Sequence, residues 1–322
     1  MALLPPDPVY TIRNVDNVPV YSLAFSFLPG GLERLLAGSK NGYVYAYNLQ
    51  TNRVQQKIQV GQAPILHIIH TDTHFITQEK GGNYKIFSLT NNGYEEDATI
   101  AIDYPGFCRF EANTKLNILY VPDSESKIHI YNFSGEKTGS LEPDSAAPKL
   151  GNPMCMKFIE FPCDRPCLLV GYEAGWLLLW DLNTSQCIGK LQTKQCPMSV
   201  EYHLDQQRGI IGTASNVIQI FSISRKDLTL AHKADITIKN PGVNKVLSRS
   251  DGKVFTSGGW DGHIRIFSWF SLRPLVVLTE HKQAVQDIAY SSEKVSQWNA
   301  NIMAAGGLDG AITLWNLYNN KN

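Results

Sequence analysis

The segment VFTSGGWDGHIRIFSW, Val254–Trp269, contains two apolar runs separated by small and polar residues. Asp261-Gly262 between them is a strong hairpin signal, because the tight turns of β-hairpins need residues that accept positive φ. Beyond the turn, Ile264 and Ile266 alternate with polar side chains, as in a half-buried strand. The segment therefore predicts two antiparallel strands and a tight turn, and it is the unit that the chain repeats.

Six variants of this unit bring the number of copies to seven: LLAGSKNGYVYAYNL from Leu35, FITQEKGGNYKIFSL from Phe75, ILYVPDSESKIHIYNF from Ile118, LLVGYEAGWLLLWDL from Leu168, GIIGTASNVIQIFSI from Gly209 and IMAAGGLDGAITLWNL from Ile302. Each second strand ends on an aromatic residue, and these residues are Tyr47, Phe87, Tyr131, Trp180, Phe221, Phe267 and Trp315. Their spacings are 40, 44, 49, 41, 46 and 48 residues. A period of about 40 to 45 residues with such a turn is typical of WD40 propeller blades.

A proline marks the entry to most copies. Pro19, Pro64, Pro105, Pro153, Pro197 and Pro241 each precede a short apolar run, and Ala284 takes this place in the seventh copy. Proline is tolerated at the first residue of a strand, where its missing amide need not join the ladder. We therefore predict that these runs, including GFCRF after Pro105, are the innermost strands of the blades.

The last copy has no outer strand of its own, since it stops soon after Tyr318. Val9–Ile12 near the N-terminus is a short strand without a blade, and its neighbourhood matches the segment that precedes the seventh copy. We predict that residues 9–12 complete the seventh blade and close the ring, which leaves no unpaired edge within it. The predicted fold is all-β: a seven-bladed WD40 β-propeller occupying residues 1–322 as a single domain.

Composition narrows the class of partner. The chain has 29 Lys and Arg and 29 Asp and Glu, so no net field attracts nucleic acid or an anionic membrane. It has neither the pattern of a signal peptide nor an apolar run long enough to span a bilayer. We expect an intracellular protein of the cytoplasm, the nucleus or both, with its six cysteines as free thiols.

The sequence contains few candidate metal-binding or catalytic residues. His67, His70 and His74 have a spacing that suits a metal only on a helix, whereas this segment is predicted as strand and loop. Cys163 and Cys167 resemble half of a zinc site without a second pair. Nucleophile-elbow and phosphate-loop motifs are absent from the sequence. We predict a protein that is not an enzyme and that holds neither cofactor nor metal.

Surface recognition remains. Alignment of the copies places Lys40, Glu173, Trp260 and Leu308 at one equivalent turn position, on the face of the blade-connecting loops. Trp260 and Leu308 fall on adjacent blades, and tryptophan often dominates interface energetics. We predict a protein-binding surface around them that Tyr172 and Arg265 extend. The alternative is that Trp260 folds over its own turn.

Two connections are longer than the rest, within residues 132–152 and 222–240. Long loops on a rigid scaffold often carry recognition, so residues 142–152 are a second candidate contact. The alternative is a tolerated surface insertion.

Four stretches carry a closer resemblance: PKLGNPMC from Pro148, LLVGYEAGWLLLWD from Leu168, NPGV from Asn240 and SGGWDGHIRIFSWFSLRPLVVLTEHKQAVQDIAY from Ser257. They resemble the guanine nucleotide-binding protein subunit beta-like protein 1 family, which is similar in turn to a fungal ASTRA-associated WD protein. The resemblance implies a non-enzymatic adaptor. It also implies a link to the cochaperone machinery that matures phosphatidylinositol-3-kinase-related kinases and, in the fungal relative, to chromatin-associated complexes.

Two other classes of propeller protein fit the sequence less well. A G-protein beta subunit carries a long N-terminal helix that coils with a gamma subunit, whereas here three prolines stand among the first eight residues, so we expect no gamma partner. A substrate receptor of a cullin ubiquitin ligase typically carries W-D-x-R after the third strand. The matching positions, Trp180 to Asn183 and Trp315 to Tyr318, lack the arginine. We retain the cullin receptor as the alternative function.

Overall fold

The computed structural model describes residues 5–13, 16–28, 30–90, 93–144 and 149–318. Within these ranges the chain forms 28 β-strands and no helix. The strands make seven four-stranded sheets, and every pairing within them that the register defines is antiparallel. The predicted all-β, seven-bladed propeller is therefore confirmed.

Six blades follow the chain order from the inner to the outer strand. The first blade contains β2 (Val20–Leu28), β3 (Leu32–Ser39), β4 (Tyr43–Asn48) and β5 (Arg53–Gln59), and the second contains β6 (Ile65–His70), β7 (His74–Glu79), β8 (Gly81–Thr90) and β9 (Gly93–Tyr104). The third contains β10 (Glu111–Asn113), β11 (Ile118–Pro122), β12 (Ile128–Asn132) and β13 (Lys137–Leu141), and the fourth contains β14 (Pro153–Phe161), β15 (Arg165–Tyr172), β16 (Trp176–Asp181) and β17 (Gln186–Gln192). The fifth contains β18 (Pro197–His203), β19 (Arg208–Thr213), β20 (Val217–Ile223) and β21 (Leu230–Thr237), and the sixth contains β22 (Val243–Ser248), β23 (Val254–Gly259), β24 (Ile264–Ser268) and β25 (Pro274–Leu278). The seventh blade consists of β26 (Val285–Tyr290), β27 (Met303–Gly307), β28 (Ala311–Trp315) and β1 (Tyr10–Arg13).

The first strand of each blade faces the propeller axis. β2 packs against β6 and β26, and β18 packs against β14 and β22, as strands around a common channel must. Pro19 and Pro64 directly precede β2 and β6, and Pro153 and Pro197 begin β14 and β18, as predicted. The aromatic residues that end the third strands are buried between neighbouring blades, except Tyr131, which is partly exposed.

The third blade departs from the prediction. Its inner strand β10 begins only at Glu111, and the predicted strand residues Gly106 to Phe110 are irregular. The Gln78 side chain of the second blade accounts for this difference: its Nε2 donates to Cys108 O at 2.9 Å and its Oε1 accepts from Phe110 N at 3.0 Å. A side chain thus satisfies backbone groups that a regular ladder would have paired.

The N-terminal strand closes the ring. β1 pairs with β28, with Ile12 opposite Ile312 and Arg13 opposite Ala311. Its bounds lie one residue beyond the predicted 9–12, although Val9 N still donates to Leu314 O at 2.8 Å. Ile12 is buried in the core between the seventh and first blades. The two ends of the described chain are therefore joined in one sheet.

The polar network of the seventh blade has moved to a different strand. WD blades of this type place a hydroxyl on the second strand, where this chain has Ala305. Thr313, directly opposite Ala305 on β28, supplies the hydroxyl instead. Its Oγ1 lies 3.0 Å from His281 Nε2 and accepts from Trp315 Nε1 at 2.8 Å, while His281 Nδ1 lies 3.1 Å from Asp309 Oδ1. The network is thus complete although the expected hydroxyl is missing.

The described residues contain no helix that is both long and apolar enough to cross a membrane. All six cysteines are free thiols. Of the longer connection 132–152, residues 145–148 lie outside the described residues.

Candidate protein-interaction site

A β-bulge recurs at the start of the inner strands. In six blades the register between the first and second strands skips one residue near the entry. The skipped residues are Tyr21, Leu66, Met154, Met198, Asn244 and Gln286. Bulges re-aim side chains, and here each one points a side chain into the mouth of the central channel.

These bulged residues, with Phe107 in the irregular segment of the third blade, line a cavity of about 590 Å³ at the channel mouth. Tyr21, Leu66, Phe107, Met154 and Met198 are apolar or aromatic, and they come from five consecutive blades. Trp260 and Leu308 line the same cavity from the sixth and seventh blades. All seven blades therefore contribute to one mouth, whose outer lining is mainly apolar and whose deeper lining is charged.

The middle turns of the blades form its rim. Trp260 N donates to Gly242 O and Leu308 N donates to Ala284 O, each at 3.0 Å, which ties each turn to the loop that enters its blade. Lys40 N and Glu173 N make the same bond to Pro19 O and Asn152 O. The predicted equivalence of the four turn positions is thus visible in their backbone hydrogen bonds, and Trp260 and Leu308 meet at the mouth as expected.

Trp260 is both packed and accessible. Its ring covers Gly242, where an added Cβ would lie 2.0 Å from the indole, and Nε1 donates to Asn244 Oδ1 at 3.2 Å. Even so, 45% of the residue remains exposed. The indole therefore packs as the alternative prediction stated, folded over its own turn. Part of the side chain nevertheless remains accessible to a partner.

Two of the predicted surface residues lie in the interior. Tyr172 is 0% exposed and belongs to the core cluster around Trp180. Arg265 is buried because its guanidinium pairs with Asp261, with Nη2 2.6 Å from Oδ2. Asp261 also accepts from Asn240 Nδ2, and its pKa is held well below the usual range because these hydrogen bonds outweigh burial. Tyr172 and Arg265 therefore support the rim from below and do not extend it.

Lys40 and Glu173 are exposed on the rim, yet neither lines the cavity. The sequence reasoning also missed most of the mouth itself. The bulged residue lies one to three positions after the entry proline, so its offset from that proline is not constant. The bulged residue can be identified only from the pairing register between the first and second strands of each blade.

Arg109 crosses the channel beneath the mouth. Its side chain crosses from the third blade to the seventh, where Nη1 lies 2.6 Å from Asp287 Oδ1. Nη2 donates to Tyr21 O at 2.9 Å and to Gln286 O at 3.0 Å, the carbonyls of two bulged residues. Asp287 Oδ2 in turn accepts from Leu23 N at 2.8 Å. The mouth is thus a cup with a floor.

Other charges of the floor are paired. Lys157 Nζ lies 3.0 Å from the Glu201 carboxylate, and Lys245 Nζ lies 3.4 Å from Asp287 Oδ1. Burial lowers the pKa of Lys157, but Glu201 and Glu111 outweigh it and raise that pKa to about 12. Burial raises the pKa of Glu111, whose carboxylate accepts from Phe158 N at 3.2 Å. The floor therefore combines ion pairs with one carboxylate, Glu111, that is held by a backbone amide.

The three histidines considered for a metal have separate surroundings. His67 packs edge-on against Phe110, His70 Nε2 lies 3.1 Å from the Tyr94 hydroxyl, and His74 Nδ1 lies 2.8 Å from Thr73 Oγ1. Among the described residues, no group of three or more potential metal ligands occurs.

Comparison with known proteins matches residues 231–268 and 272–316 to the family described as WD40: WD domain, G-beta repeat. The chain is similar to Guanine nucleotide-binding protein subunit beta-like protein 1 of Mus musculus, with 28% identity over 326 residues that cover 98% of this chain and 97% of the mouse protein. It is also similar to ASTRA-associated protein 1 of Schizosaccharomyces japonicus, with 24% identity over 78% of this chain and 75% of the relative. The Verticillium alfalfae protein of that name is 26% identical over 96% of this chain and 92% of its own length. The resemblance seen in the sequence is confirmed.

Proposed function

This chain is a β-propeller with WD40 repeats, and from that premise we propose that it is a non-enzymatic adaptor that binds a protein partner at the channel mouth. One observation carries the proposal: large apolar side chains stand exposed around the cavity at the channel mouth. Phe107 is 57% exposed and Trp260 45% exposed, on opposite sides of the cavity. Exposed aromatic side chains around a pocket are the usual anchors of protein interfaces.

The finer proposal concerns the role of the partner. The chain acts as a cochaperone-type factor that assists assembly or stability of phosphatidylinositol-3-kinase-related kinases or of chromatin-associated complexes, in the cytoplasm, the nucleus or both. Support comes from the relatives named ASTRA-associated protein 1, whose name refers to association, and from the family resemblance of the sequence. The ion pairs of the channel floor are consistent with an adaptor, because charged groups that are engaged with one another are not free to act as catalytic acids or bases.

The test is quantitative mass spectrometry of the proteins that copurify with a tagged chain. The test variant is Trp260→Ala combined with Leu308→Ser, which removes two rim side chains. The matched control is Phe270→Ser, because Phe270 is 96% exposed but lies at the other end of β24 from the Trp260 turn. Thermal unfolding of all three proteins shows whether they remain folded.

We expect enrichment of kinase-maturation cochaperones with the wild-type chain and the Phe270→Ser variant, and loss of that enrichment with the rim variant. Enrichment that survives the rim substitutions would keep the adaptor role and disprove the mouth as its site. Recovery of cullin or G-protein gamma subunits in place of cochaperones would overturn the proposed role.

A further inference from the structure

We propose that the mouth receives a linear segment of the partner that has a large apolar anchor side chain and a run of basic residues on one side of it. This inference rests on the proposed adaptor function and adds the chemistry of the segment that is recognised. Three features of the described residues carry it: the lining of the mouth, its floor, and the uneven charge around its rim.

The lining selects an apolar anchor. Five of the seven side chains that the inner strands and the Phe107 segment direct into the mouth are apolar or aromatic. Met154 and Met198 are adjacent, on the fourth and fifth blades, and are only partly buried. Methionine side chains adapt their shape to different apolar partners. The mouth therefore accommodates a bulky side chain without requiring one particular residue.

The floor limits how far that anchor enters. Arg109 bonds to Tyr21 O and Gln286 O directly beneath the bulged side chains, so the channel is crossed at that level. The whole cavity, including the part lined by Arg109 and the other floor residues, measures about 590 Å³, within the range of small-molecule pockets. A cavity of this size accommodates one large side chain and its immediate neighbours.

The floor does not select a charged anchor. Its three cations are already engaged: Arg109 and Lys245 share Asp287, and Lys157 pairs with Glu201. An ionic tip that entered the cup would have to displace an existing ion pair, which leaves a buried charge without a partner. Selection by charge therefore has to occur on the rim.

The rim is acidic on one side. The loops of the third and fourth blades at this end carry more acids than bases: Asp123, Glu125, Glu142, Asp144 and Glu173 against Lys127, Lys149 and Lys194. A groove of about 190 Å³ runs among them and is lined by Glu125, Glu142 and Asp144. Ser126 Oγ donates to Gly151 O at 2.6 Å and so links the two loops beside Met154. A basic flank next to the anchor would lie against these carboxylates.

The other side of the rim carries exposed charges of both signs, with Glu280 on the loop that enters the seventh blade and Asp103 at the end of β9. Lys282, Lys40 and Lys80 are exposed on the seventh, first and second blades, and Lys80 Nζ lies 5.0 Å from the centre of the Phe107 ring. Acids outnumber bases only on the side of the third and fourth blades, so charge complementarity directs a basic flank towards that side. The cavity therefore holds the anchor side chain, and the charge of the rim sets the direction in which the basic flank runs.

The test uses three fluorescent 12-residue peptides and fluorescence anisotropy. One peptide has a Trp-Leu-Met anchor followed by four lysines, the second has the same anchor followed by four glutamates, and the third keeps the lysines but replaces the anchor by serines. The test variant combines Glu125→Lys, Glu142→Lys and Glu173→Lys, all exposed on the rim. The matched control combines Glu136→Lys, Asp205→Lys and Glu293→Lys, which are exposed at the other end of the propeller and change the net charge equally.

We expect the anchored lysine peptide to bind the wild type and the control variant at least about tenfold more tightly than the glutamate peptide at low salt, with the preference shrinking as salt screens it. The test variant should lose or invert that preference, and the peptide without the anchor should bind weakly to all three proteins. Equal affinity for the two charges, equal binding without the anchor, or no binding of any peptide would each overturn the inference. The copurification experiment would still decide the adaptor function independently.

Discussion

At the scale of the residue, the Thr313 hydroxyl holds together the buried network of the seventh blade. It serves both His281 Nε2 and Trp315 Nε1, and all three side chains are buried. Thr313→Val keeps the shape of the side chain but leaves two buried polar groups unsatisfied. We expect the free energy of unfolding, measured by urea denaturation, to fall by about 1 to 3 kcal/mol.

Ser257 in the sixth blade supplies the matched control. Its Oγ is buried and has no hydrogen-bond partner among the described residues, and Phe267 stands where a tryptophan would donate its indole N–H. Ser257→Ala should therefore leave the stability nearly unchanged or raise it slightly. An equal loss in both variants would show that burial alone, and not the Thr313 hydrogen bonds, sets the stability of these positions.

The same scale explains which site residues the sequence could predict. The rim positions of Trp260 and Leu308 could be predicted because turn residues align across the repeats, independently of the direction of their side chains. Tyr172 and Arg265 were misjudged because each lies in a strand, where a shift of one residue moves a side chain to the other face. Glu173, the neighbour of Tyr172, is indeed exposed. The bulges were invisible because a bulge is a relation between two strands and leaves no fixed spacing in either.

At the scale of the element, β1 closes the ring through one buried side chain. Ile12 is 4% exposed and faces Ile312, whereas Tyr10 on the same strand is largely outside the core. Ile12→Ala should lower the free energy of unfolding by about 2 to 5 kcal/mol, since a cavity would open at the seam between the first and last blades. Tyr10→Ala should cost much less. Denaturation curves with equal costs would contradict the assignment of β1 as a packed strand.

Most elements followed from the sequence because every blade repeats the same alternation, turn and terminal aromatic. The inner strand of the third blade did not, although its apolar run looked like the others. Gln78, in the preceding blade, occupies its backbone groups through a side chain about 30 residues away in sequence. A pattern within one segment cannot report such a contact, because the competing partner lies outside that segment.

At the scale of the whole molecule, Asp287 joins four blades around the axis. It pairs with Arg109 of the third blade and Lys245 of the sixth, and it accepts from Leu23 N of the first while itself belonging to the seventh. Its side chain is almost fully buried. Burial alone would raise the pKa of this carboxyl, but Arg109 and Lys245 outweigh it and lower the pKa below its ordinary value of 3.8.

A carboxyl with a lowered pKa stabilises the fold above its ordinary pKa, and this contribution is lost as the pH falls through the lowered value. Asp287→Asn leaves two partly buried cations without their anion, so we expect a loss of about 3 kcal/mol at pH 7. The difference from wild type should shrink below about pH 4, as the wild-type carboxylate is itself protonated. Glu293→Gln, an exposed substitution, should change stability by less than about 0.5 kcal/mol. Urea denaturation from pH 7 to pH 3 measures all three proteins. A constant difference between wild type and Asp287→Asn across that range would mean that the ion pairs at the axis do not hold the ring together, and that the packing between blades does so alone.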